Sequence, residues 1–393
     1  MTTLPNVQPE HDIDRLILEL NATAPLEPAR VPAGTTARLD RWLQVLADRG
    51  GSDLLLVAGA APTIRVKGVV TPLADGPLDG LDIEEAVLPA LAPHARRQYR
   101  EAQIADASYP VTGLGRFRIN LHRERGRAAA AVRMLPARVP RLSTLDLPPQ
   151  VELLAQLPRG LVLIGGPTGS GKTTTLAALV EEINRRSARH IITIEDPIEY
   201  EHAHGGSVIE QIEVGVDVHD FPTALRAALR QAPDVIVVGE MRDPETMRIA
   251  LAAAETGHLV LSTVHTTDAA STVSRIADSF PAERQNTIRQ ELAMALAAVM
   301  TQTLMPRIGG GLVPAAELLM VGYGARQHIR KNALQHLHQE TTITRKAGSF
   351  TLEECLARLV RDGVVEWRDA HGRAVHVEDF EQMAPHSGPR PPT

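Results

Sequence analysis

The chain has 393 residues, room for two or three domains of about 150 residues, and its 41 basic and 47 acidic side chains leave a formal charge of −6. Apolar residues make up 44% and charged residues 22%, as in an ordinary globular protein, while only 2 Trp, 4 Tyr and 5 Phe leave the core to aliphatic side chains. The apolar runs, such as 292–300, are too short to span a bilayer, the single Cys355 excludes an internal disulfide or a cysteine-based zinc cluster, and mild acidity with few stacking rings argues against a nucleic-acid groove.

Residues 1–34, rich in Pro, Ala and Thr, read as a flexible extension with at most a short amphipathic turn at Ile13–Leu20. No basic segment followed by an apolar one opens the chain, so no secretory signal is expected, and the single cysteine suits a cytoplasmic setting. From 35 to 140 the pattern is α+β. A helix is predicted at Ala37–Asp48 and strands at Leu54–Ala58, Thr63–Gly68, Arg116–His122 and Ala128–Leu135; the second and third alternate like half-buried strands. Pro136, Pro140, Pro148 and Pro149 punctuate the next stretch, and 141–150 is read as a proline-rich linker. Between 151 and 383, the apolar runs Leu161–Ile164, Ile191–Ile194, Val235–Val238 and Leu259–Ser262 are each followed by a helix-like segment. Buried parallel strands with helices on both faces look like this, so a doubly wound α/β domain is expected. Beyond about 284 the reading is mostly helical, and 384–393 reads as a disordered tail.

Gly166-Pro167-Thr168-Gly169-Ser170-Gly171-Lys172-Thr173 fits the pattern G-x-x-x-x-G-K-[ST]. It stands where that pattern has meaning, after the strand at 161–164 and before a helix at Thr174–Arg186 with Leu176, Leu179, Val180 and Ile183 at helical spacing. Glycines let successive amides point at phosphate oxygens, and the helix start adds partial positive charge up to Thr174. Lys172 is expected to reach the β- and γ-phosphates of a nucleotide and the Thr173 hydroxyl to bind Mg²⁺. A GTPase would need an N/T-K-x-D segment and an ABC ATPase an L-S-G-G-Q segment; neither occurs.

Two apolar strands end in acids, Glu195-Asp196-Pro197 and Gly239-Glu240. In open α/β sheets ligands bind at that edge. Glu195 is expected to orient the attacking water and Glu240 to hold Mg²⁺ through its water shell, although either acid alone could cap the next helix. His258 and His265 flank the fourth strand and are expected at the same sheet edge, bonded to the γ-phosphate or across a subunit boundary. A metal role for them lacks a carboxylate or cysteine at ligand spacing. His202, His204, His336 and His338 read as solvated residues.

The four segments Gly166–Thr173, Ile192–Glu199, Val238–Asp243 and Ala254–Leu259 with His265 resemble the Walker A, Asp box, Walker B and His box of the type II/IV secretion ATPase superfamily. From about 37 to 370 the chain is most similar to the PilT-like branch, the retraction ATPases of type IV pili. Gly51-Ser52-Asp53-Leu54, Gly115-Arg116-Phe117-Arg118 and Thr351–Gly363 carry that likeness. Of the branch's A-I-R-N-L-I-R-E segment, residues 324–331 retain only Arg326, Ile329 and Arg330. The resemblance implies a RecA-like P-loop NTPase core with an N-terminal PAS-like α+β domain. It also implies a homo-hexamer that hydrolyses ATP with Mg²⁺ and powers retraction and twitching motility by rotation between its domains. The ring would be cytoplasmic, peripherally docked at the inner membrane on a pilus platform protein and beside paralogous pilus ATPases. Pilus assembly or secretion motors are the alternative, and a nucleic-acid translocase is a further one. In such a ring Arg116 and Arg118, two residues apart and so on one face of a strand, could reach a neighbour's ATP, or else form a solvated basic face.

Overall fold

The computed structural model describes residues 36–136 and 138–385. The extension read at 1–34, its turn at 13–20, and 386–393 of the tail lie outside the described residues. The chain divides into two compact units, one ending at Met134 and the other starting at Leu135. Among the described residues no helix is long and apolar enough to cross a membrane.

The first unit holds helices α1 (Ala37–Asp48), α2 (Gly80–Val87) and α3 (Pro93–Ala102) with one six-stranded sheet. Its strands are β1 (Asp53–Val57), β2 (Thr63–Val66), β3 (Val69–Pro72), β4 (Ile104–Val111), β5 (Gly115–Glu124) and β6 (Arg127–Met134), in the order β3-β2-β1-β6-β5-β4. Every pairing is antiparallel. Helix α1 buries Leu39, Trp42, Leu43 and Leu46, the i, i+3, i+4, i+7 stripe of an amphipathic helix. Strand β5 buries Phe117, Ile119 and Leu121 and turns Arg116, Arg118 and Asn120 to the other face. Sequence patterning missed β3 and β4. Strand β3 is exposed at all four positions, and β4 fully buries only small Ala105 and Ala107, packs Tyr109 and Val111 partly against the core and carries Pro110, which its place at the sheet edge tolerates.

The second unit is built on β7 (Gly160–Gly165), β8 (His190–Glu195), β9 (Val208–Glu213), β10 (Val235–Glu240), β11 (Leu259–Val264), β12 (Leu296–Pro306) and β13 (Leu312–Met320). Their order is β13-β12-β7-β11-β10-β8-β9, parallel except for the antiparallel edge strand β13. The helices that concern the site are α4 (Lys172–Arg186), α5 (Phe221–Ala228), α6 (Pro244–Glu255), α7 (Ala269–Asp278), α8 (Ala282–Ala295), α9 (Tyr323–Arg330), α10 (Leu337–Ile343), α11 (Leu352–Arg361) and α12 (Val377–Met383). Alternate residues of β7 feed two cores. Val162 and Ile164 pack with α4, α11 and α12; Leu161 and Leu163 pack with α5, α6, α7 and α8. Both faces of the sheet are therefore buried, which is why its strands read as unbroken apolar runs.

Two features differ from the sequence reading. The segment 141–150 is packed, since Leu142 and Leu147 enter a core of the second unit. The mostly helical reading beyond 284 holds for most of that stretch but missed β12 and β13, the two longest strands of this sheet. Leu296–Met300 is rich in helix-forming Leu, Ala and Met, but β7 on one side and β13 on the other satisfy its backbone as a strand. Pairing within a buried sheet overrides local propensity.

Candidate active site

Strand β7 ends at the phosphate loop. Gly166 sits at φ 151°, and a Cβ there would lie 2.4 Å from both the Gln302 carbonyl oxygen and Ser170 Oγ, so only glycine fits. Pro167, Thr168 and Gly169 form an exposed crest, while Ser170 and Lys172 are buried. Lys172 Nζ curls back and donates to the carbonyls of Gly166 at 2.9 Å and Pro167 at 3.0 Å. Burial pushes the pKa of this ammonium down, against the pull of the Glu240 and Glu199 charges. Gly171, at φ 86°, precedes α4 and offers no side chain to cap it. The first amides of that helix, at Lys172, Thr173 and Thr174, are thus left for an anion. Ser170 Oγ is buried without a hydrogen-bond partner among the described residues. A pocket whose buried hydroxyl lacks a partner and whose wall excludes a Cβ fits a phosphate.

The acids stand on adjacent strands, with Ile194 of β8 opposite Val238 of β10. Glu195 and Glu240 are each the last residue of their strand. Their environments differ. Glu195 accepts from Thr193 Oγ1 at 2.7 Å and from Gln211 Nε2 at 3.2 Å. Burial raises its pKa above the ordinary value; those hydrogen bonds temper the shift, and the Glu199 charge adds to it. Burial also acts on Glu240, but there it is outweighed by the hydrogen bond and charge of Arg242 (2.8 Å), then by His265 and Lys172, so its pKa is lowered. Burial at one acid and pairing with Arg242 at the other thus move their proton affinities in opposite directions. Neither is a helix cap: Asp243, not Glu240, caps α6 by accepting from Thr246 N at 2.8 Å.

His265 follows the C-terminal tip of β11, with Nε2 3.3 Å from Glu240 Oε1. His258 does not join it. It precedes β11, at the opposite edge of the sheet, where its Nδ1 donates to the Ala253 carbonyl at 2.9 Å. The two backbone positions are seven residues apart across this strand, about 23 Å at the rise of a parallel strand. The shared edge expected for them is therefore corrected. Arg116 and Arg118 lie side by side on β5 of the first unit; Arg116 Nη2 donates to Ser108 Oγ at 2.8 Å and Arg118 reaches Asp106 at 3.4 Å.

Some contributors escaped sequence reasoning. Gln302 braces the loop from β12: its Nε2 donates to the Ser170 carbonyl at 2.7 Å, and its Oε1 accepts from Thr175 Oγ1 at 2.8 Å. The polar triplet Thr301-Gln302-Thr303 inside an apolar strand was the available signal. Gln211 on β9 had none, because only the fold brings it beside Glu195. Tyr200 shares a 3.0 Å hydrogen bond with Thr174 across the loop.

A phosphate loop, paired strand-tip acids and this strand order define a P-loop ATPase with a RecA-like core. The family described as Type II/IV secretion system protein matches residues 130–370, and the chain belongs to it. The type IV pilus retraction ATPase PilT of Pseudomonas aeruginosa is 41% identical over 334 residues, which cover 85% of this chain and 97% of that protein. The type IV pilus ATPase PilU of the same bacterium is 37% identical over 345 residues, covering 88% and 90%. The crystal structure of the pilus retraction motor PilT with bound ADP matches with a TM-score of 0.79 at 42% identity, over 86% of this chain and 98% of that one. The Legionella pneumophila ATPase DotB matches with a TM-score of 0.75 at 27% identity, covering 88% and 96%.

Proposed function

We propose that this chain hydrolyses ATP to power retraction of type IV pili, as a homo-hexamer at the cytoplasmic face of the inner membrane that acts on a pilus platform protein. The relation to PilT over nearly the full length of both chains carries this reading. The nucleotide site supports it. The amides of residues 166–174 and Lys172 take the phosphates of ATP. Thr173 and, through water, Glu240 would hold magnesium, a hydroxyl and an ionised carboxylate being the oxygen donors that a hard cation takes. Magnesium, when bound, neutralises charge on the transferring phosphoryl group. Glu195 orients the attacking water and accepts its proton, for which its raised pKa suits it. The oxygen of that water bonds to the γ-phosphorus as the bond to ADP breaks.

His265, 3.3 Å from Glu240, is assigned to sensing the γ-phosphate, and His258, held by the Ala253 carbonyl at the other end of β11, is assigned no contact with its own subunit's nucleotide. Arg116 and Arg118 are assigned to a neighbour's ATP, where guanidinium groups stabilise transition-state charge. The mechanical output is motion between the two units.

A deletion strain tests the function: excess surface pili that do not retract are expected, and bald cells would point instead to assembly. For the shared site, mixed rings of Arg116→Ala and Lys172→Ala subunits should regain some ATPase activity that neither variant has alone. No recovery would remove Arg116 from its assigned place.

A second reading, an auxiliary retraction motor that works beside another, is favoured by the likeness to PilU and by the altered segment 324–331. On α9, Arg326 Nη1 donates to the Met294 carbonyl at 2.7 Å, and His328 faces Glu340 at 3.5 Å. Retraction that fails only when a second pilus ATPase is also deleted would select this reading.

A further inference from the structure

Away from the nucleotide loop, three residues distant in sequence converge. His338 on α10, His376 just before α12 and Asp379 in the first turn of α12 present ligand atoms that all lie within 4.8 Å of one another. His338 Nε2 is 3.8 Å from Asp379 Oδ2, longer than a hydrogen bond. The two imidazoles stack, with centroids 3.7 Å apart and planes at 28°. Donors on a tetrahedral ion with bonds of about 2.0–2.1 Å stand about 3.4 Å apart, so the set closes when the stacked rings splay until both in-plane lone pairs meet at one point, a movement open to the exposed His376 and Asp379 and the half-buried His338.

The backbone beneath the three donors is fixed. Glu353, 1% exposed, accepts the amides of Val375 at 3.1 Å and His376 at 2.9 Å. Leu337 and Phe380, the chain neighbours of His338 and Asp379, are buried in two different cores. A buried carboxylate spent on pinning the loop of an exposed histidine makes the convergence a built feature. His338 stays partly exposed, as read from the sequence, with a ring and a carboxylate beside it; of the histidines read as solvated, it is His202 whose side chain is buried, at 4% exposure.

We propose that His338, His376 and Asp379 bind a divalent transition-metal ion, zinc by preference, with water in the open position. Two imidazoles and one carboxylate suit zinc and its first-row neighbours, not magnesium or calcium, which take oxygen donors. The bound ion staples α12, the last described helix, to α10.

Untagged, full-length protein stripped with a chelator and free of nucleotide is titrated with Zn²⁺ by calorimetry, and with Co²⁺ while the visible absorption of the ion is followed. One ion per chain is expected, at micromolar affinity or tighter, without competition from millimolar Mg²⁺. His338→Ala and His376→Ala should each weaken binding at least about tenfold, the loss typical of an altered metal shell. Asp379→Asn should weaken it less, and His371→Ala, whose ring bonds Glu381, should change nothing. Zinc should raise the melting temperature of the parent protein but not of the His338→Ala/His376→Ala double variant. If an alanine variant loses its helical circular dichroism, His338→Gln, close in volume, supplies the same reading. Equal affinity in parent and double variant, or no binding below millimolar Zn²⁺, overturns the proposal.

Discussion

Helix α4 and helices α6 and α7 hold equivalent places in one sheet, each starting beyond the C-terminal end of a parallel strand, yet only α4 leaves its first amides free. At α6, Asp243 accepts from Thr246 N at 2.8 Å; at α7, Asp268 accepts from Ser271 N at 2.8 Å in a capping box. Helix α7 takes a second carboxylate as well, since Glu317 Oε1 accepts from Ala269 N at 3.0 Å. At α4 the cap is Gly171, which has no acceptor to offer. A helix start carries roughly half a positive charge with unpaired amides, and either a protein carboxylate or a bound phosphate can satisfy both. The topology thus supplies several anion sites, and the capping residue decides which one stays open for a nucleotide.

Closing the open site should have the largest effect. Gly171→Asp adds a carboxylate at the capping position, with its Cβ 3.1 Å from Gln302 Nε2, and forces a side chain onto a backbone at φ 86°. Nucleotide binding should be lost, and phosphate release should fall by at least about 100-fold, as for loss of a main electrostatic contact. Wild-type nucleotide affinity in that variant would show that capping does not govern which helix start takes the phosphate.

A smaller effect is expected at the doubly capped end of α7. Burial pushes the Glu317 carboxyl up to about 7, with the Asp268 charge adding to it against the hydrogen bonds from Ala269 and Thr301. Because the folded pKa exceeds the ordinary 4.5, the folded state binds more protons between those values. This contribution is full below about pH 4.5 and is lost as pH rises through about 7. Glu317→Gln keeps an acceptor for Ala269 and removes the titration. From pH 4.5 to 8 the variant should gain up to about 3 kcal/mol relative to the parent in denaturant melts. Parallel pH–stability curves would show that Glu317 does not titrate there.

The smallest effect belongs to the ordinary cap. Asp243→Ala should cost about 1 kcal/mol of stability and leave the KM for ATP nearly unchanged, which denaturant melts and steady-state assays check. A large rise in KM would mean that α6 shares in nucleotide binding and that a capped helix start is not closed.

Much of the catalytic edge was legible in the sequence because its signals are local. The glycines and lysine of 166–173 specify a loop conformation within eight residues, and Glu195 and Glu240 close apolar runs whose burial dictates strands. The direction of β11 was legible too. His258 precedes the strand and His265 follows it, so in a parallel sheet they stand at opposite edges, a consequence that motif spacing obscured. Strand β12 could not be read, because Leu296–Met300 has helical propensity and only its partners make it extended.

The phosphate loop, the strand-tip acids and the class of the second unit are written in the order of residues, since each rests on contacts among near neighbours or on simple burial. It took the folded arrangement to make Gln302 brace the loop, to let burial at Glu195 and pairing with Arg242 at Glu240 set different proton affinities on two glutamates, and to bring His338 to His376. Those outcomes depend on which strands and helices lie side by side, and residue periodicity along one segment carries no record of its neighbours.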